Sequence, residues 1–289
     1  MTFVGLPTDS VGRSGGTELA PAALRELELP SLLDAADAGD LDVQIRGERR
    51  DPETGILASS DVLATTRTVR DAIGELIASG RRPLLGGGCC AGLPGALAGA
   101  RDALGRIALV NVDGHMDLLD GSTSPTGEAA DMPVSVALGL GPARWVEQAG
   151  GPSLTPADAT LAGFRDEEEY EIVQPERLAP DLVLMPLSQM RAQGFAAAGE
   201  QIAALQAGKP FWLHFDVDVL DEQVFPATDY LMPNGMTWDE LRDVLGPLFA
   251  SPSLVGMSLA CYNPEKDPEL ASGRALVEAI GAVTPRNEP

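Results

Sequence analysis

The chain is poor in the groups on which specific chemistry usually rests: 289 residues carry two histidines, three cysteines and only 4% aromatics. An odd cysteine count, with two of the three adjacent at positions 89 and 90, makes a poor disulfide framework and suits a reducing compartment. Positive charge is also scarce, with 20 Lys and Arg against 43 Asp and Glu and a net charge of −23. Such a balance repels nucleic acid and anionic membranes at long range. It is compatible with a small cationic substrate, and equally with a merely solubilising acidic surface. No apolar run approaches the roughly 20 residues of a membrane span. The opening "MTFVGLPTDS" lacks the charged and apolar regions of a secretory signal. The expectation is a soluble, cytoplasmic protein whose partners are small molecules.

What the sequence does have is regular alternation. Apolar strand-like runs ("MTFVGLP", "LDVQIRG", "PLLGGG", "RIALVNVD", "ATLAGFR", "LVLMPL", "FWLHFDVD", "LVGMSLACYN") alternate with helical patterns. The helical stretches include 60–80, closed by Gly80, one from about Pro94 to Leu104, "DMPVSVALGLG", "EEEYEIV", Gly194 to Ala207, "TWDELRDVLGPLF" and a C-terminal helix. This succession predicts an α/β fold, a single three-layer α-β-α domain over residues 1–289 with a mainly parallel central sheet. The long polar loop "LDGSTSPTGEAA" from Leu119 to Ala130 is a candidate functional loop.

In open parallel sheets ligands bind at the carboxyl ends of the strands. Two strands here close with clustered carboxylates. In "ALVNVDGHMDLLD", Asp113, His115 and Asp117 share a face while the chain stays extended; in "FWLHFDVDVLDE", Asp216 and Asp218 do the same. An Asp at a strand end can simply cap the next helix. That accounts for one carboxylate per strand end, not for D-x-H-x-D and D-x-D together. Several carboxylates facing one cavity need a compensating cation, and oxygen ligands with an imidazole suit a divalent ion such as Mn²⁺, or a pair of them.

These motifs resemble the ureohydrolases (arginase, agmatinase, formimidoylglutamase), which carry D-A-H-x-D, S-x-D-x-D-x-x-D-P and an earlier G-G-D-H-S. Weaker matches follow in the right order: "GGTELAPAALRE", "GFRD" at 163–166, "DVDVLDEQVFPA" and "CYNP" at 261–264. The resemblance implies an arginase-like fold, a homo-oligomer (trimer or hexamer) and a binuclear centre of the manganese type that hydrolyses linear C–N bonds of amidines. It implies that Asp113 and Asp216 bridge two metals, that Asp117 and Cys89 serve the first, and that His115 and Asp218 serve the second.

The chain departs from the family where chemistry is concentrated. "GGGCC" stands where G-G-D-H-S is expected, so Cys89 occupies a metal-binding histidine position. A thiolate there shifts preference toward Zn²⁺ or Fe²⁺; read otherwise, Cys89 is a small apolar residue in a metal-free site. Ala130 replaces a catalytic histidine, Cys261 replaces the glutamate that pairs with the guanidinium, and Leu119 replaces a substrate-binding Asn. Arginine is therefore not the expected substrate. Glu128 and Asp131 flank the vacant histidine position and are candidates for proton transfer, their alternatives being a solvated loop and a helix cap. Cys261 and Cys89 end neighbouring strands in the family sheet and are expected to face one pocket, as metal ligands or a redox-sensitive pair. His214 is expected to be a satisfied core histidine and Cys90 a packing residue. Two functions follow: a metal-dependent hydrolase of linear amidines, or a catalytically impaired protein of this fold with a binding or regulatory role.

Overall fold

Eight parallel strands form one sheet in the computed structural model, which describes residues 1–12, 15–167 and 181–285. They are β1 (Thr2–Gly5), β2 (Ala36–Asp40), β3 (Pro83–Gly86), β4 (Ala108–Val112), β5 (Ala159–Ala162), β6 (Val183–Met185), β7 (Phe211–Asp216) and β8 (Leu254–Ala260). Their order across the sheet is β2-β1-β3-β8-β7-β4-β5-β6. The central strands are buried throughout because helices cover both faces, which is why they read as unbroken apolar runs.

Alternate residues divide the core between the two faces. Phe211, Leu213 and Phe215 of β7 join Val110, Val112, Met257 and Leu259 on one side, against the helices Trp238–Phe249 and Ala271–Val283. On the other side, Trp212, Leu109 and Leu85 pack beneath the helices Ser59–Ala78 and Leu93–Leu104. This second face carries an anomaly. Asn111, His214 and Ser258 lie side by side in register across β4, β7 and β8, a buried polar stripe in an otherwise apolar layer.

The register also ends four strands level. Gly86 pairs with Leu259, Leu259 with Phe215, and Phe215 with Val112. Asp113 and Asp216, immediately beyond, and Cys261, one residue further along at the end of β8, therefore emerge along one edge.

One expected strand is replaced, one helix is present with shifted ends, and one expected helix lies outside the described residues. The apolar "LDVQIRG" is not a strand; the edge strand β2 is the polar segment Ala36–Asp40 just before it. An edge strand needs only backbone pairing on one side and here is largely exposed, so apolar alternation does not mark it; Leu41, Val43 and Ile45 instead pack under the helical layer. The helix expected from Gly194 starts at Phe195 and follows a separate helix, Leu187–Gln193. The helix expected over "EEEYEIV" falls on residues 167–173, of which all but Glu167 lie outside the described residues. Among the described residues no helix is long and apolar enough to cross a membrane.

Candidate metal centre

The side chains that close β4 and β7 bind each other before they bind anything else. Asp113 accepts from the backbone N–H of His115 at 2.7 Å, Asp218 accepts from that of Gly114 at 2.9 Å, and Asp216 accepts from that of Asp218 at 2.9 Å. Gly114 is required at this crossing, because a Cβ there would stand 2.7 Å from an Asp218 carboxylate oxygen. The "GFRD" segment holds the two loops from below: Arg165 donates to the backbone carbonyls of Asp218 at 2.9 Å and Val219 at 3.2 Å, and Asp166 accepts from Met116 N–H at 3.1 Å.

Two groups of donors converge. Asp113, His115 and Asp218 form one, with His115 Nδ1 3.0 Å from Asp218 Oδ2. Cys90, Asp113, His214 and Asp216 form the other; in each group the donor atoms lie within 4.8 Å of one another. Asp113 belongs to both. The donor chemistry fits divalent ions: carboxylates with an imidazole in the first group, and carboxylates with an imidazole and a thiol in the second.

Of the ligands expected from sequence, Asp113, His115, Asp216 and Asp218 are thus brought together, while Cys89 and Asp117 stand outside both groups. Gly87 and Gly88 follow β3 with left-handed φ of 88° and 70°, and Cys89 is extended. The chain turns back only at Cys90, so it is the second cysteine that returns over the strand ends. A side chain at Gly88, where the family has Asp, would place its Cβ 2.7 Å from the Leu6 carbonyl oxygen. Cys89 lines the same cavity on the side of Asp9 and Ser10. Asp117 follows a left-handed turn of its own, φ 55°, which carries its carboxylate to the cavity wall.

Cys90 is accordingly more than a packing residue. Its Sγ lies 2.8 Å from Asp216 Oδ2, 3.3 Å from His214 Nε2 and 3.6 Å from Cys261 Sγ. The thiol pair expected between Cys89 and Cys261 is therefore one between Cys90 and Cys261. His214 is satisfied, as expected of a core histidine: Nδ1 lies 2.6 Å from Ser258 Oγ, which also accepts from Trp212 Nε1 at 3.0 Å. It is also a member of a donor group, which sequence reasoning missed. The available signal was its placement two residues before Asp216, on the same face of the strand.

Electrostatics follow from crowding. Burial, then Asp117, Asp218 and Asp216, hold the Asp113 carboxyl well above its ordinary range. Burial and Asp218 push Asp216 up to about 7. Burial alone would depress His115, but Asp218 beside it raises the imidazolium to about 11; Asp218 is lowered in return despite its burial. Burial brings His214 down to about 4, so that ring is neutral at pH 7. Burial and Asp9 take Cys89 to about 12; Cys90 is raised by its bond with Cys261 and by burial. Cys261 is raised by burial and Asp216, although its contact with Cys90 acts the other way. No thiolate nucleophile is available at neutral pH without a metal.

Above this floor opens a cavity of about 210 Å³. Eight carboxyl side chains line it, and no lysine or arginine does so among the described residues. Glu128 forms part of the wall; burial raises its carboxyl, and Tyr230 OH donates to Oε2 at 2.6 Å. Asp131 accepts from Thr126 Oγ1 at 2.7 Å and from Ser124 Oγ, which ties it to ordering the 119–130 loop. Of the two proton-transfer candidates, Glu128 is thus the freer. Asp229 is paired with Lys266 Nζ at 2.7 Å, while Asp9 accepts from Thr17 Oγ1 at 2.9 Å.

Comparison with known proteins accords with this geometry. The chain is 23% identical over 291 residues to an arginase of Brevibacillus brevis, covering 98% of this chain and 97% of that one. It is 33% identical over 178 residues to N(omega)-hydroxy-L-arginine amidinohydrolase of Streptomyces lavendulae, covering 60% of this chain and 58% of that one. The fold superimposes on native arginase from Bacillus caldovelox with a TM-score of 0.90 at 22% identity, covering 100% of this chain and 99% of that one. The sequence profile of the Arginase family matches residues 1–283, nearly the whole chain, and the protein belongs to that family.

Proposed function

We propose that this chain is a metal-dependent hydrolase of the C–N bond in a small cationic amidine or guanidine that lacks a carboxylate. The observation that carries the reading is the sharing of Asp113 by two donor groups at the floor of a carboxylate-lined cavity. A metal pair held by these groups would supply Lewis-acid polarisation and a water acidic enough to serve as nucleophile near pH 7.

The chain's own residues set what can be bound. Asp9 and Glu128 give the cavity wall a negative potential that attracts a guanidinium or amidinium, a task Cys261 cannot perform from the position of the family's glutamate. An α-carboxylate would meet like charge here, which costs several kcal/mol. Leu119, Pro125 and Ala130 supply apolar wall that limits water. Glu128, held by Tyr230, would accept and return a proton where Ala130 leaves no histidine to do so; its lining of the cavity supports this role.

The test is release of urea or ammonia by Mn²⁺- and Zn²⁺-loaded protein from aminoalkylguanidines, simple amidines and arginine in parallel. The expected result is turnover of carboxylate-free substrates with kcat/KM about tenfold or more above that of arginine. No release from any amidine at full metal occupancy overturns the reading. It would favour the second function, a protein that binds a cation without turnover, for which the combined loss of charge at Ala130 and Cys261 is the supporting observation.

A further inference from the structure

The two donor groups are not chemically equivalent. One offers carboxylate oxygens and the His115 imidazole; the other adds the Cys90 sulfur and places His214 opposite it. Cys90 comes from the turn after β3, His214 and Asp216 from β7, and Asp113 from β4, so a single ion there would tie three strands together.

The orientation of His214 is prepared from behind. Ser258 Oγ accepts from Trp212 Nε1 at 3.0 Å and stands 2.6 Å from His214 Nδ1. When Nδ1–H donates to that oxygen, the Nε2 lone pair faces Cys90 and Asp216, the arrangement by which a second hydrogen bond fixes the tautomer of a metal-binding imidazole. The distances have room for exchange. The Cys90 sulfur now sits 2.8 Å from Asp216 and 3.3 Å from His214, hydrogen-bond separations. Tetrahedral zinc with bonds of about 2.3 Å to sulfur and about 2.0 Å to nitrogen puts those two ligands about 3.5 Å apart. Replacing the thiol proton by a metal ion thus requires a shift of about 0.2 Å between Cys90 and His214 and a wider one, of about 0.7 Å, between Cys90 and Asp216. The register neighbour Asn111 donates to Asp113 Oδ2 at 3.3 Å, and its own Oδ1 finds no hydrogen-bond partner among the described residues.

We propose that Cys90 and His214 are metal ligands and that the centre is a mixed one: a thiophilic ion of the zinc class at Cys90, His214, Asp113 and Asp216, and a harder ion of the manganese class at Asp113, His115 and Asp218. The inference rests on the metal-dependent reading of this cavity but not on turnover. Loading the first position exchanges the Cys90 thiol proton for the ion and releases that proton to solvent. Cys89 is excluded because it faces Asp9 and Ser10, and Cys261 because its sulfur contacts Cys90 without joining either group.

The test uses the full chain, stripped by chelator and given one equivalent of Zn²⁺, with X-ray absorption at the zinc edge. One sulfur at about 2.3 Å is expected. Co²⁺ in place of Zn²⁺ should show a sulfur-to-metal charge-transfer band that one equivalent of Zn²⁺, but not of Mn²⁺, abolishes. Cys90→Ser should remove both signals, while Cys89→Ser and Cys261→Ser keep them, and Ser258→Ala should weaken zinc binding about 10–100-fold. A sulfur-free zinc shell overturns the proposal, as does loss of the signal in Cys89→Ser or Cys261→Ser, or displacement of zinc by manganese. If Cys90→Ser does not fold, the unmodified protein still reports the sulfur and the two control variants assign it. Failure to release urea with both ions bound would refute the hydrolase reading and leave this one standing.

Discussion

Replacing Asp216 with asparagine should stabilise the metal-free protein while removing most of its response to zinc. Asp216 is 1% exposed, and burial beside Asp218 pushes its carboxyl up to about 7 from an ordinary value of 3.8. Between those two values the native state holds a proton that the unfolded chain has lost, so stability falls as pH rises through the window and the full cost remains above it. At 1.36 kcal/mol per pKa unit, the difference amounts to about 4 kcal/mol above pH 7 and under about 1 kcal/mol at pH 4. Asparagine cannot ionise, yet its carbonyl oxygen can still accept the Asp218 N–H that Asp216 now accepts at 2.9 Å. Urea unfolding of chelator-treated wild type and Asp216→Asn at pH 4, 6 and 8 should show the variant's advantage growing to a few kcal/mol. In the presence of Zn²⁺ the order should reverse, because only the wild type keeps the full ligand set of the position that Asp216 serves and gains that binding energy on folding. An advantage that is absent at pH 8, or equal at all three pH values, would refute the account of an uncompensated buried carboxylate.

Metal uptake at pH 7 should release protons, since Asp218 keeps His115 protonated up to about 11 in the metal-free state and a ligand imidazole must give its proton up. Calorimetric titrations in buffers of different ionisation enthalpy would count them, and uptake without release would contradict the His115 assignment. Glu128→Gln should lower kcat about 10²–10⁴-fold at unchanged metal content. Steady-state kinetics with metal analysis would check this, and an unaltered kcat would remove Glu128 from proton transfer. Treatment with diamide, whose N=N bond takes up the two electrons and two protons, should join Cys90 and Cys261, whose sulfurs are 3.6 Å apart. Mass spectrometry should then find one internal disulfide and only Cys89 still free to alkylate; a disulfide involving Cys89 would refute the pairing.

Most of the frame was legible because strands buried on both faces and glycine-punctuated turns leave plain marks in a sequence. β2 was not, because an exposed edge strand places no demand on side chains: "ADAGD" pairs through its backbone alone. At the site, D-x-H-x-D and D-x-D were legible since their spacing is fixed by the pleat of β4 and β7. The choice between Cys89 and Cys90 was not. It depends on two successive left-handed glycines, and backbone conformation of that kind sets which neighbour turns inward without altering composition or period. That His214 is buried and satisfied is legible; the ligand role proposed for it depends on a partner 124 residues away, which no local pattern encodes.

The level ending of β3, β8, β7 and β4 has an evolutionary side. Each strand delivers its functional group one or a few peptide units past a shared edge, over a scaffold whose own stability is settled deeper in the layers. A histidine exchanged for a cysteine, or a glutamate for a cysteine, changes the donor atoms and charge presented at that edge while the register beneath stays put. Such a platform lets ligand sets drift one side chain at a time, so relatives of nearly identical shape can part company in chemistry long before they part company in fold.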